Sequence, residues 1–128
     1  MEDILVVDDD RDLLEVFKRI LEREGFVAHC VASGEEAIEQ IKERTFSLMI
    51  TDFNMPGLNG LELARKGLAL APHMPIIMDT SGISPIIIRL AKEIGIAKVL
   101  VKPFLLTVLM KTIREVMGTR REWAASAG

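Results

Sequence analysis

"ILVVDDDRDLLEVFKRILEREG", residues 4–25, changes period once, and that change decides the fold. Ile4, Leu5, Val6 and Val7 are apolar at consecutive positions, the pattern of a short strand covered on both faces. Beyond three aspartates, Leu13, Val16, Phe17, Ile20 and Leu21 recur at spacings of three and four, with Arg11, Glu15, Lys18, Arg19 and Glu22 between them. That is the period of an amphipathic helix, and Gly25 stops it. The stretch is one βα unit.

The unit recurs along the chain. Further apolar runs are Val27 to Ala32, Leu48-Met49-Ile50, Ile76-Ile77-Met78 and Val99-Leu100-Val101. Helical periods follow them in Ala37, Ile38 and Ile41; in Leu61, Ala64 and Leu68 up to Pro72; in Ile86, Ile87, Leu90, Ala91 and Ile94 up to Gly95; and in Leu105, Leu109, Ile113 and Val116 up to Gly118. Ile88 falls about 120° from the centre of the fourth helix's apolar face and is expected to be exposed. Strict βα alternation with fully apolar strands predicts an α/β fold: five βα repeats, a doubly wound parallel sheet and a three-layer α/β/α sandwich. The domain is expected over residues 1–118, with 119–128, rich in small residues, as a tail or linker stub.

Composition excludes several classes of function. The 128 residues suit one domain, since domains commonly run to roughly 100–150 residues. Sixteen basic against nineteen acidic residues give a net charge of −3, without the basic excess that direct nucleic-acid binding needs. No apolar run approaches the roughly 18 residues of a membrane span, and Cys30, the single cysteine, allows no intrachain disulfide. A cytoplasmic location is expected. His29 and His73 have no partner at metal-ligand spacing, and Gly57 and Gly60 form no nucleotide-binding pattern, so they read as turn residues.

In doubly wound sheets the ligand crevice opens at the carboxyl ends of the strands. The first run stops at Asp8-Asp9-Asp10, the third at Asp52, the fourth at Asp79-Thr80-Ser81 and the fifth at Lys102-Pro103. Taken singly each has a plain explanation: helix capping for the aspartate run, turn chemistry for Asp52, a solvated surface group for Lys102. Parallel strands bring them all to one edge, where carboxylates without compensation repel. A hard divalent cation resolves that conflict, and oxygen ligands with room for water suit Mg²⁺. Phosphoryl transfer then needs a carboxylate nucleophile, a metal, a cation and a hydroxyl donor. Asp52, Mg²⁺, Lys102 and Thr80 supply them.

These residues resemble the receiver domains of two-component response regulators, of the chemotaxis-receiver type, over about residues 3 to 118. "ILVVDDD" is similar to the family's opening strand and acidic pair, "DFNMPGLNG" to its phosphoacceptor motif, "PIIMDTSG" to its switch-threonine strand and "VKPF" to its lysine-proline turn. The resemblance implies a flavodoxin-like fold and a phosphorelay switch. It casts Asp52 as phosphoacceptor, Thr80 and Lys102 as its catalytic partners, and Asp8, Asp9, Asp52 and the Asn54 backbone carbonyl as ligands of Mg²⁺. It also implies a cis bond before Pro103 and a histidine kinase or histidine phosphotransfer protein as phosphodonor. A downstream partner, or self-association, is expected through the fourth helix, fifth strand and fifth helix, and catalysis is limited to the domain's own phosphorylation and dephosphorylation.

Two positions depart from the family pattern. Val99 stands where a Tyr or Phe is usual, so ring rotation is not available to the switch. Asp79 stands where an apolar residue is usual, and it must find a partner, reach water or have its pKa raised. Two rivals remain beside the receiver. A receiver-like binding module would work without phosphorylation. A small aspartate-based phosphatase would use Asp8 as nucleophile and Asp10 as acid and base, but Asp12 and the absence of a later acidic pair in the sequence stand against it.

Overall fold

The computed structural model describes residues 2–82 and 84–127, with side chains described as far as residue 118. The elements alternate as β1 (Asp3–Val7), α1 (Arg11–Arg23), β2 (Val27–Val31), α2 (Gly34–Glu43), β3 (Leu48–Asp52), α3 (Gly60–Leu70), β4 (Ile76–Thr80), α4 (Pro85–Ile94), β5 (Lys98–Val101) and α5 (Leu106–Ala127). The five strands form one parallel sheet in the order β2-β1-β3-β4-β5. After β1 the chain steps to one side for β2 and returns past β1 for β3. The order therefore reverses between β1 and β3, and the crevice lies at their carboxyl ends.

The two-residue period of the strands sorts the core into two layers. Leu5, Val7, Met49, Ile76 and Met78 face Ala37, Ile41, Leu63, Ala64 and Ala91 of α2, α3 and α4. Ile4, Val6, Leu48, Ile50 and Ile77 face Leu14, Phe17, Leu21, Leu109, Met110, Ile113 and Met117 of α1 and α5. The expected three-layer sandwich is what forms. Helices α1 to α4 begin on side chains that can accept from free backbone N–H groups. Asp10 caps α1 through the N–H groups of Asp12 and Leu13, Ser33 caps α2, and Asn59 with Glu62 makes a reciprocal capping box on α3. Ser84 caps α4, Pro85 fills its first turn, and Gly95 ends it in the left-handed conformation with φ +106°.

Three expectations need correction. Strands β3 and β4 run further than their apolar runs, to Asp52 and Thr80, because Asp52 pairs in register with Asp79, and Thr80 with Val101. Helix α5 passes through Gly118 instead of stopping there. The glycines with positive φ among the described residues are Gly25, Gly57 and Gly95, and a glycine that keeps helical φ weakens a helix by about 1 kcal/mol without ending it. The side chains expected to form the tail, residues 119–128, lie outside those described. Finally, Ile86 does not belong to the buried face of α4: it is 60% exposed, beside Ile88 at 43%. The row facing the sheet is Ile87, Ala91 and Ile94, and at 100° per residue Ile86 sits about 105° from its centre.

Candidate functional site

The three consecutive aspartates after β1 have three different fates. Asp8 is buried, its backbone N–H donating to the Val31 carbonyl at 3.2 Å and its Oδ1 accepting from the Asp10 N–H at 2.9 Å. Asp9 is exposed, and Asp10 caps α1. The capping explanation is thus correct for one residue of the run and leaves Asp8 to the crevice.

Asp52 ends β3 inside the crevice, 6% exposed, with Oδ1 accepting from the Asn54 N–H at 3.3 Å. The turn behind it is close-packed. A Cβ on Gly60 would lie 2.6 Å from the Asp52 carbonyl oxygen and 2.8 Å from the Phe53 Cα, so only glycine lets α3 start there. Across the crevice, Asn54 Nδ2 donates to Ser81 Oγ at 3.2 Å and joins the loops after β3 and β4. Thr80 is buried at the end of β4, and its hydroxyl is engaged with its own loop, 3.2 Å from the Gly82 carbonyl oxygen as donor and 3.3 Å from the Gly82 N–H as acceptor.

Lys102 enters from β5. Its N–H donates to the Thr80 carbonyl at 2.8 Å, and the Lys102–Pro103 bond is cis, in agreement with the family resemblance. Nζ lies 3.5 Å from Asp8 Oδ2, 3.5 Å from Asp52 Oδ2 and 3.4 Å from Asp79 Oδ1. One ammonium is shared among three buried carboxylates.

The charges respond to that crowding. Burial, then the nearby Asp52 and Asp8 charges, push Asp79 up to about 7, against the pull of Lys102. Burial also raises Asp8, opposed first by the Asp10 N–H and then by Lys102. For Lys102, burial works downward, but Asp79, Asp8 and Asp52 outweigh it and the pKa rises. Asp79 Oδ1 is buried and accepts no hydrogen bond, the Lys102 ammonium lying near it off the bonding direction.

Asp8, Asp52 and Asp79 each offer a carboxylate oxygen within 4.8 Å of the others, an oxygen donor set that fits a hard divalent cation. The crevice thus unites Asp8, Asp52 and Lys102, with Thr80 and Asn54 at its rim and the exposed Asp9 beside it. In the sequence Asp79 stands out as a departure from pattern but not as a member of the site. Counting register would have placed it there, because in paired parallel strands Asp52 and Asp79 stand side by side on one face.

The family model for the response regulator receiver domain matches residues 4–114. The chain belongs to that family. A receiver domain protein from Methanospirillum hungatei JF-1, described as CheY-like, superposes with a TM-score of 0.92 at 30% identity, covering 95% of this chain and 98% of that one. The response regulator receiver protein CpdR of Brucella abortus (strain 2308) is 32% identical over 117 residues, 91% of this chain and 98% of CpdR. The C4-dicarboxylate transport transcriptional regulatory protein DctD of Rhizobium meliloti (strain 1021) is 34% identical over 119 residues, 92% of this chain. This chain spans about a quarter of the length of DctD, 26%. The receiver domain therefore serves two-component signalling, and no helix among its described residues is long and apolar enough to cross a membrane.

Proposed function

We propose that Asp52 is the phosphoacceptor of this receiver domain. The observation that carries this is the convergence of Asp52 and Asp8 on the Lys102 ammonium, 3.5 Å from each, at the point where the strand order reverses. An Asp52 carboxylate oxygen attacks the phosphorus of a phosphohistidine on a histidine kinase or phosphotransfer protein; the new O–P bond forms as the P–N bond breaks and the imidazole leaves with the electron pair. Lys102 neutralises charge on the transferring group, and Thr80 turns its hydroxyl from Gly82 to a phosphoryl oxygen. A bound Mg²⁺ would neutralise the remaining charge on those oxygens, held by Asp8, Asp9, Asp52 and the Asn54 carbonyl, with Asp79 close enough to join the set.

The phosphorylated domain acts on its partner, or on a second copy of itself, through α4, β5 and α5, where Ile86, Ile88, Leu105, Leu106 and Val108 are exposed. Residues 1–118 form the receiver and 119–128 a tail or linker stub, in a cytoplasmic protein. Incubation with acetyl phosphate should add a phosphoryl group to Asp52 only when Mg²⁺ is present, read by intact mass and peptide mapping. Asp52→Asn labelled to the wild-type level would sink the assignment.

A further inference from the structure

Asp79 has no step of its own in the transfer described above, yet it sits in the middle of the site, near enough to Asp8 and Asp52 to join them around a metal ion. It is 1% exposed, it is held by β4 directly beside Asp52, and its Oδ1 accepts no hydrogen bond. Lys102 is the cation that offsets it, at 3.4 Å. The ammonium is nearly equidistant from three oxygens, at 3.4, 3.5 and 3.5 Å, and none is at the roughly 2.7–2.9 Å of a close charge-assisted bond. Nζ donates one long hydrogen bond, to Asp8 Oδ2 at 3.5 Å, and lies at nearly the same range from the other two carboxylates.

We propose that Asp79 is a positioning residue that competes with the phosphoryl group for the Lys102 ammonium and thereby keeps the phosphorylated fraction of the domain low. The inference rests on Asp52 as phosphoacceptor. Phosphorylation replaces the single negative charge of Asp52 by the larger charge of the phosphoryl group. Lys102 then has to follow the new oxygens, while Asp79, fixed in the sheet, cannot follow Lys102. The carboxylate is left buried without its lysine, with Oδ1 accepting no hydrogen bond, and it faces an added anion. An apolar side chain at this position would impose no such penalty. Asp79 thus opposes the phosphorylated state through the lysine that the state requires, without touching the incoming group.

Two measurements on the whole chain test this. The first is a thermal-melting cycle on wild type, Asp79→Val, Lys102→Met and the double variant, without Mg²⁺ or phosphodonor. Lys102→Met should lower the melting temperature markedly in the wild type and less in the Asp79→Val background, where the lysine still offsets Asp8 and Asp52; equal losses would mean that the two side chains are not coupled and would overturn the proposal. The second is the labelled fraction of Asp52 with acetyl phosphate at saturating Mg²⁺ and above neutral pH, in wild type, Asp79→Asn and Asp79→Val. Both variants should reach a labelled-to-unlabelled ratio on the order of tenfold higher, the scale of one unit of repulsion a few ångströms away after screening. An unchanged or lower ratio with the coupling intact would overturn the competition. Absence of label in every protein, wild type included, would overturn the phosphoacceptor assignment and the competition with it, and the persisting 79–102 coupling would mark that failure as distinct.

Discussion

The carboxyl edge of β3 and β4 and the outer face of α4, β5 and α5 are built on opposite terms. At the edge, every residue of both strands is buried, and the charged groups are packed where water cannot relax them. On the face, β5 has no fully buried residue, α4 buries only Ala91, and isoleucines and leucines lie open to solvent. Charge held in a dry place stores free energy that a ligand can release, whereas apolar surface left wet stores free energy that a partner can release. The contrast teaches how the domain divides its work: tension at the centre of the sheet, unsatisfied surface at its margin.

The largest effect should come from removing the Lys102 cation from the edge. Lys102→Ala leaves Asp8, Asp52 and Asp79 without their shared counter-charge, and breaking a buried pair from one side costs about 3–5 kcal/mol. Urea denaturation without Mg²⁺ would read it. A loss no larger than that of an exposed substitution would place the carboxylates in a much wetter site.

A smaller effect is expected from pH. Asp79 has a folded-state pKa raised from 3.8 to about 7, so between those values the folded protein holds a proton that the unfolded chain has released. Stability in Mg²⁺-free buffer should therefore fall as pH rises from about 4 to 7 and level off above, by up to a few kcal/mol. The raised Asp8 acts in the same sense, while Lys102, raised from 10.5, changes charge only in strongly alkaline solution. Asp79→Asn should flatten most of this slope; an equally steep slope in the variant would assign it to other groups.

At the margin the same logic predicts almost nothing for stability. Ile88→Lys replaces a side chain already 43% exposed and should change the unfolding free energy by no more than about 0.5 kcal/mol. It should nevertheless abolish any phosphorylation-dependent self-association or partner binding, measured by sedimentation or titration, while Asp52 still labels. Unaltered association in both states would move the output surface elsewhere.

The sequence made the centre legible and the margin less so, for one physical reason. Strands buried on both faces must be apolar at every position, so Ile4 to Val7 and Ile76 to Met78 announce themselves, and the charged residues that end them are conspicuous. Surface helices are constrained on one side only. Ile86 could not be separated from Ile87 by period alone, since a row facing the sheet can be drawn through either until the sheet is present. Gly118 misled for a related reason: glycine permits a helix stop, but the stop needs a left-handed residue that composition does not reveal. Asp79 fell between the two cases. Its chemistry was visible as an anomaly, but its place depended on a register that one strand cannot state.

The Thr80 hydroxyl already has an occupation: it is tied to the backbone of Gly82, 3.2 and 3.3 Å away. Engaging a phosphoryl oxygen is then an exchange of hydrogen bonds and not the creation of one. A neutral bond worth about 0.5–1.5 kcal/mol is given up for a charge-assisted one worth about 1.5–3, leaving a difference near 1–2 kcal/mol. That shifts the ratio of the two loop arrangements by about five- to thirtyfold. The loop after β4 therefore works as a dial with overlapping settings and not as a latch: some unphosphorylated molecules already hold the signalling arrangement, and some phosphorylated ones do not.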